Sequence, residues 1–281
     1  MKRIYIFSLL VLLSLFSCEE TVILDVNELD ERLIIEGQLT DVQGRNFVKI
    51  TRSRDFYFQG PAPRVTNATV EVSDELGVTH VFAHNPLNDP ELEGFYYPVN
   101  PFAGRIGGTY ELSINADGQN YRAVETMLPV TAIDSLGVIL DEEEMEEPEV
   151  PGRFYEVTFF ALEPQDRKDQ YLFKFYRNDT LIKDFPTDIY FSDDEFLGET
   201  IDNLTIAGWY ADGDRCRVEM YSLTQEAFIF YSDLFNLLNN DGGMFSPPPA
   251  DPRNNLSNGA LGYWQVSALD EMEIVVIPPE N

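Results

Sequence analysis

The residues that could do chemistry in this 281-residue chain are two histidines, two cysteines and 49 acids. His80 and His84 lie four apart on an alternating segment that predicts a β-strand. Residues i and i+4 of a strand share a face but stand about 13 Å apart at ~3.3 Å per residue, too far to ligate one metal ion. Neither histidine has a Gly-x-Ser-x-Gly motif beside it. We therefore expect partly buried or surface histidines.

Cys216 lies between Arg215 and Arg217 in an alternating stretch. Neighbouring arginines can lower the pKa of a thiol and activate it as a nucleophile. The alternation favours the other interpretation, a small buried residue in a strand. Because the only other cysteine is Cys18, which we assign to an anchor below, we expect no disulfide within one mature chain.

The acids greatly outnumber the bases, 49 against 19, for a formal net charge of −30. Such a polyanion repels phosphate backbones, so nucleic acid is excluded as a partner. With so many acids, a pair suited to glycoside hydrolysis arises by chance and indicates nothing. We predict no catalytic residue, no metal ligand and no cofactor.

Two acidic segments nevertheless raise the question of calcium. The run from Asp141 to Glu149 is either an exposed, solvated loop or a calcium cradle, and its charge density favours the loop. Asp212-Gly213-Asp214 begins like a calcium-binding loop, but Arg217 stands where such a loop requires glycine. A plain turn is the prediction there.

The amino terminus predicts export and a lipid anchor. Lys2 and Arg3 precede the apolar run 4–16, which as a helix would be about 20 Å long, short of the ~30 Å hydrocarbon core. Residues 1–17 are therefore predicted to be a signal peptide. Leu15-Phe16-Ser17-Cys18 resembles a bacterial lipobox, which implies cleavage before Cys18 and its acylation. The alternative is an ordinary secretory signal with an incidental cysteine.

The rest of the chain is predicted to be mainly β. After an acidic tether, residues 18–30, alternating segments separated by turns predict an Ig-like antiparallel sandwich over 31–128. Pro129 opens a second Ig-like, β-rich domain over 129–281. Its one inserted helix is predicted near 225–239, with Thr224 as the N-cap and with Phe228, Tyr231, Phe235 and Leu238 as the apolar stripe.

Consecutive aromatic residues mark the candidate contact surface. Side chains alternate along a strand, so neighbouring aromatics cannot all point into one core. We expect some of them to be exposed and to contact a ligand or partner, although the same residues could simply cover the ends of a sandwich. The candidates are Phe56, Tyr57, Phe58, Tyr96 and Tyr97.

Several segments together resemble a Bacteroidota lipoprotein family known as domain of unknown function 4249. They are Cys18-Glu19-Glu20, Leu33-Ile34-Ile35-Glu36-Gly37, Gly108-Thr109-Tyr110-Glu111-Leu112, Pro129 with Ile133-Asp134, Ser192-Asp193-Asp194-Glu195-Phe196-Leu197-Gly198, Asn255-Leu256-Ser257-Asn258 and Leu261-Gly262-Tyr263-Trp264. The resemblance implies an envelope lipoprotein beside a TonB-dependent outer-membrane transporter. Glu19 and Glu20 resemble the signal that exports such lipoproteins to the cell surface.

Together these features predict an outer-membrane lipoprotein that faces the exterior and is held in the membrane by its lipid. Its expected role is that of a non-enzymatic accessory or binding partner of a TonB-dependent transporter. Two alternatives stay open: a surface hydrolase that uses carboxylates on glycans, and a structural or adhesive envelope protein.

Overall fold

A computed structural model describes residues 31–54, 60–194, 200–240, 242, 248 and 250–279. Over these residues the protein is mainly β, as predicted, with α1 (Glu142–Glu146), α2 (Gln225–Leu238) and one 3-10 turn (Pro90–Leu92). The strands are β1 (Leu33–Thr40), β2 (Phe47–Arg52), β3 (Thr69–Asp74), β4 (Thr79–His84), β5 (Phe95–Pro98), β6 (Thr109–Ala116), β7 (Gln119–Thr126), β8 (Ser135–Leu140), β9 (Tyr155–Leu162), β10 (Gln170–Arg177), β11 (Thr180–Leu181), β12 (Tyr190–Asp193), β13 (Thr200–Thr205), β14 (Arg215–Ser222), β15 (Leu261–Ser267) and β16 (Leu269–Val275).

The largest sheet has eight strands in the order β15-β1-β2-β5-β4-β3-β6-β7. Every pairing in it is antiparallel except that of β1 with β15, which is parallel. The sheet curls so far that its two end strands, β15 and β7, contact each other. Leu128, just after β7, forms a bridge with Ser267 of β15. Alternating side chains on the inner face, such as Ile35, Val48 and Leu112, form one core.

The strand β15 comes from the carboxyl-terminal part of the chain and yet belongs to this first sheet. It lies close to β1 because Gly37 has no side chain where the ring of Trp264 packs. A Cβ at Gly37 would meet Cζ3 of Trp264 at 3.0 Å and Cε3 closer still. The division into two Ig-like domains at residues 128 and 129 stays a prediction. The large sheet contains strands from both sides of that boundary.

Two smaller sheets make up most of the second half. One has the order β11-β10-β14-β16 with β12 also on β10, and the other has the order β13-β9-β8. They share a core, because side chains from β9 (Val157, Phe159) and from β10 and β14 (Phe173, Val218) belong to one buried cluster. These are the aromatic and β-branched residues that suit a pleated surface.

The helix α2 confirms the prediction made for residues 225–239. Thr224 Oγ1 accepts a hydrogen bond from the Ala227 amide at 3.2 Å and so caps the amino terminus. The predicted apolar stripe was wrong at its carboxyl end, where Phe235 and Leu238 are exposed. The buried side chains are instead Ala227 and Phe230, which pack against the outer face of β14 and β15.

The acidic run 141–149 is exposed, as expected, but part of it is helical rather than a loop. Asp141 accepts a hydrogen bond from the Glu144 amide at 2.8 Å and starts the short helix α1. Acids in the first turn of a helix are favourable because they face its positive end. Neither α-helix in the described ranges has the length and apolar character that crossing a bilayer requires.

Candidate functional site

Most of the residues predicted to act as anchor or contact lie outside the described residues. They are Cys18, Glu19, Glu20, Phe56, Tyr57 and Phe58. Acylation of Cys18 and surface export through the two glutamates therefore stay predictions. The remaining two candidates, Tyr96 and Tyr97, are adjacent on β5 and have opposite surroundings.

Tyr96 is a core residue, so its assignment to a contact surface was wrong. Its side chain is 1% exposed, and its hydroxyl donates to the Val65 carbonyl at 3.0 Å and accepts from the Ala68 amide at 2.9 Å. Because strand side chains alternate, burying Tyr96 points Phe95 and Tyr97 outward. The run of aromatics showed that they must alternate, but only the sheet determines which of them face the core.

Three aromatic rings form a row on the outer face of the large sheet. The ring centroids of Phe47 and Phe95 are 5.7 Å apart, and those of Phe95 and Tyr97 are 6.2 Å apart and nearly parallel. Val81 on the neighbouring strand β4 and Val99 just after β5 lie on the same face of the sheet as these rings. They are 50% and 58% exposed. We call these five residues the outer aromatic row.

Charged groups border the row on the side of β1 and β2. Lys49 Nζ lies 2.7 Å from Glu36 Oε1 and 5.7 Å from the centroid of Phe95. Burial raises the pKa of Tyr97 above its ordinary value, so its phenol stays neutral and can donate a hydrogen bond. Rigid aromatic side chains with a polar tip are the residues that bind well at protein interfaces. Tyr97 therefore has the rigid ring and the polar tip that suit a binding surface.

Of the five residues of this surface, only Tyr97 was a candidate from the sequence, and Phe47, Val81, Phe95 and Val99 were not. The period-two spacing of Phe95, Tyr97 and Val99 could have revealed one line of it. The other two residues become neighbours only through the pairing of β2 and β4 with β5.

Both histidines are partly buried on the inner face of β4, as predicted. The ring of His80 stacks on Phe102 with centroids 3.5 Å apart, and burial lowers the pKa of its imidazole. His84 Nε2 accepts a hydrogen bond from the Gly94 amide at 3.0 Å. Both rings are therefore engaged in structural contacts.

Cys216 is the buried strand residue that its alternating neighbours predicted. It is fully buried in β14, and burial raises the pKa of its thiol to about 11. A thiol with that pKa is almost entirely protonated at neutral pH, which is opposite to what a nucleophile needs.

Two carboxylates, those of Glu163 and Asp169, meet around the hydroxyl of Tyr171. The Tyr171 oxygen is 2.7 Å from Glu163 Oε2 and 3.0 Å from Asp169 Oδ2, and it also lies 2.8 Å from Thr131 Oγ1. The other oxygen of Glu163, Oε1, is buried with no hydrogen-bond partner. Burial, with the charges of Asp169 and Asp194 as smaller causes, raises the pKa of Glu163.

This pair does not form a site for glycoside hydrolysis. Glu163 is 2% exposed and Asp169 is 7% exposed, so a sugar cannot reach between them. Arg167 Nε also binds Asp169 at 2.7 Å and holds it in place. The pair is part of the interior, where its role is to fix the loop between β9 and β10 against Thr131.

In the ranges that the structure describes, no group of three His, Cys, Asp or Glu side chains converges as metal ligands do. The predicted turn at Asp212-Gly213-Asp214 is confirmed, with Gly213 at φ +83. Asp214 Oδ2 accepts from the Ala211 amide at 2.9 Å, and Asp214 Oδ1 accepts from Asn178 at 2.7 Å. This carboxylate closes the turn.

The fold and its surfaces thus define a mainly β protein in which a curled sheet presents aromatic residues to the outside. Residues 19–272 match the family model described as Domain of unknown function (DUF4249), and the chain belongs to that family. The family prediction is therefore confirmed. No curated protein matches the chain.

Proposed function

We propose that this protein is an outer-membrane lipoprotein, anchored through acylated Cys18, that faces the exterior and binds a TonB-dependent transporter as a non-enzymatic accessory. Glu19 and Glu20 serve as the export signal in this proposal. The Ig-like character of the two halves also belongs to the proposal.

The observation that carries the proposal is the outer aromatic row. Its rings lie on regular, paired strands, so their positions are set before a partner arrives. A preorganised surface loses little conformational entropy on binding. Its two valines are at least half exposed although they lie beside aromatic rings, and apolar groups clustered in this way mark interaction surfaces.

The charge of the chain favours the same role. A formal net charge of −30 keeps an anchored protein soluble and separate from its copies. It also directs the row toward a partner whose rim carries lysine or arginine, because opposite charges accelerate encounter. The lipid supplies the attachment, since each CH₂ group buried in the bilayer contributes ~0.8 kcal/mol to the free energy of membrane binding.

The test is recovery of the transporter from native membranes in mild detergent. The full chain with a carboxyl-terminal tag is compared with Val99→Glu, which places a charge inside the row. The matched control is Leu162→Glu, which adds the same charge at a residue of similar exposure, 68% against 58%, away from the row.

The wild type and the Leu162→Glu control are expected to recover an outer-membrane transporter barrel, and Val99→Glu is expected to recover at least about tenfold less. If the wild type recovers no barrel, the accessory role is wrong and a structural or adhesive role replaces it. If both charged variants bind as the wild type does, the row is not the contact surface.

A further inference from the structure

The strand β1 is the first described element after the predicted tether, and it lies inside the large sheet rather than at an edge. Positions 34–40 pair with β15, and positions 33–38 pair with β2. Ile35 and Leu39 are fully buried on its inner face. A chain that enters a sheet at an interior strand cannot be removed without separating two neighbours.

The pairings of β1, parallel with β15 and antiparallel with β2, determine how the strand responds to tension. When two paired strands, parallel or antiparallel, are pulled toward opposite ends of their ladder, the load runs along them and all of their hydrogen bonds must break together. When strands are pulled from the same end, the bonds open one after another. Because a single hydrogen bond contributes little on its own, the number of bonds that break at once sets the resistance.

The strand β1 and the turn after it are also fastened to the second half of the protein. Asp41 Oδ1 accepts from the Leu269 amide at 2.9 Å, and Lys174 Nζ donates to Gln38 Oε1 at 3.0 Å. Arg45 Nη1 lies 3.0 Å from Glu219 Oε1. Tension that reaches β1 is therefore distributed over β10, β14 and β16 as well as over the large sheet.

We propose that β1 is a force-bearing strand, which transmits tension from the amino-terminal tether to the folded body in shear. The inference rests on the proposed function, because tension arises when the lipid holds one end and a partner holds the body. The outer aromatic row begins on β2, the direct neighbour of β1, so the path between anchor and partner crosses the β1 pairings.

Single-molecule pulling with two pairs of handles tests this proposal. The mature chain, residues 18–281 with Cys18→Ser, receives cysteine handles at Glu31 and Leu76 or at Gln43 and Leu76. Glu31 precedes the start of β1, whereas Gln43 lies in the turn after its end, and the β3–β4 turn that carries Leu76 lies at that same end. All three positions are exposed, and Cys216 is fully buried and stays unlabelled.

The Glu31–Leu76 pair loads β1 in shear, and we expect it to unfold at roughly twice the force of the Gln43–Leu76 pair, which opens the strands one by one. Equal forces, or a lower force for the shear pair, would overturn the proposal. Matching thermal unfolding curves confirm that both variants fold. Because neither variant carries lipid, this result is independent of whether the anchor and the transporter partner exist.

Discussion

Arg45 and Glu219 are 174 residues apart in the chain and form an ion pair of 3.0 Å at the contact between the β1–β2 turn and β14. The Glu219 side chain is fully excluded from solvent. It also accepts hydrogen bonds from Tyr176 at 3.0 Å and Tyr221 at 2.8 Å, and it pairs with Arg217. One buried carboxylate thus holds groups from both halves of the protein.

Glu219→Gln removes this charge while keeping the shape of the side chain. We expect it to lower the free energy of unfolding by about 1–3 kcal/mol, because Arg45 and Arg217 lose a buried partner and keep only Glu271. Urea unfolding followed by fluorescence and by circular dichroism measures the change.

The matched control for that variant is Glu273→Gln on β16, which pairs with Arg217, two residues before Glu219 on β14. Glu273 is 42% exposed on its side chain and lies 4.0 Å from Arg215. An exposed pair of this kind contributes about 0–1 kcal/mol. Equal effects of the two variants would contradict a special role for the buried carboxylate.

Glu163 predicts a pH dependence of stability. Burial raises its pKa above the ordinary 4.5, so the native protein binds this proton more tightly than the unfolded chain does. The stability gained is fully present below about pH 4.5 and is lost as pH rises through the native pKa. Glu163→Gln should therefore be more stable than the wild type at pH 7, with the difference shrinking toward pH 4.

Thermal unfolding at a series of pH values checks this expectation. Glu147→Gln, which removes an exposed acid near α1, serves as the control and should leave the wild-type profile unchanged. A Glu163→Gln profile parallel to that of the wild type from pH 4 to pH 8 would show that Glu163 does not titrate abnormally.

Gly37 is predicted to tolerate no side chain. In Gly37→Ala the new Cβ would press on the ring of Trp264, and we expect a loss of about 1–3 kcal/mol or more. Trp264→Phe replaces the two fused rings of the indole with one ring and makes room for the new Cβ, so the double variant should lose less stability than the sum of the two single variants. Strict additivity in urea unfolding would mean that the two residues are not in contact.

Much of this fold could be predicted from local patterns. Alternation and turn residues predicted the strands, and Thr224 together with the apolar spacing after it predicted α2 to within one residue. These signals lie within a few residues of each other. They need no knowledge of distant neighbours.

The candidate site could be predicted only in part, because burial depends on which strands pair. Glu219 has the appearance of a surface acid between Arg217 and Tyr221 until the β1–β2 turn covers it. Tyr96 and Tyr97 look equivalent in the sequence, and the sheet places one inside and one outside. The parallel pairing of β1 with β15 joins segments more than 200 residues apart, which no local pattern reveals.

Metabolic labelling with an alkyne analogue of palmitate tests the lipid anchor on which the proposed function depends. The wild type and Cys216→Ser should both incorporate the label, because the thiol of Cys216 is buried in β14. Cys18→Ser should incorporate none. A wild-type protein without label, or a Cys18→Ser protein that keeps it, would contradict the account.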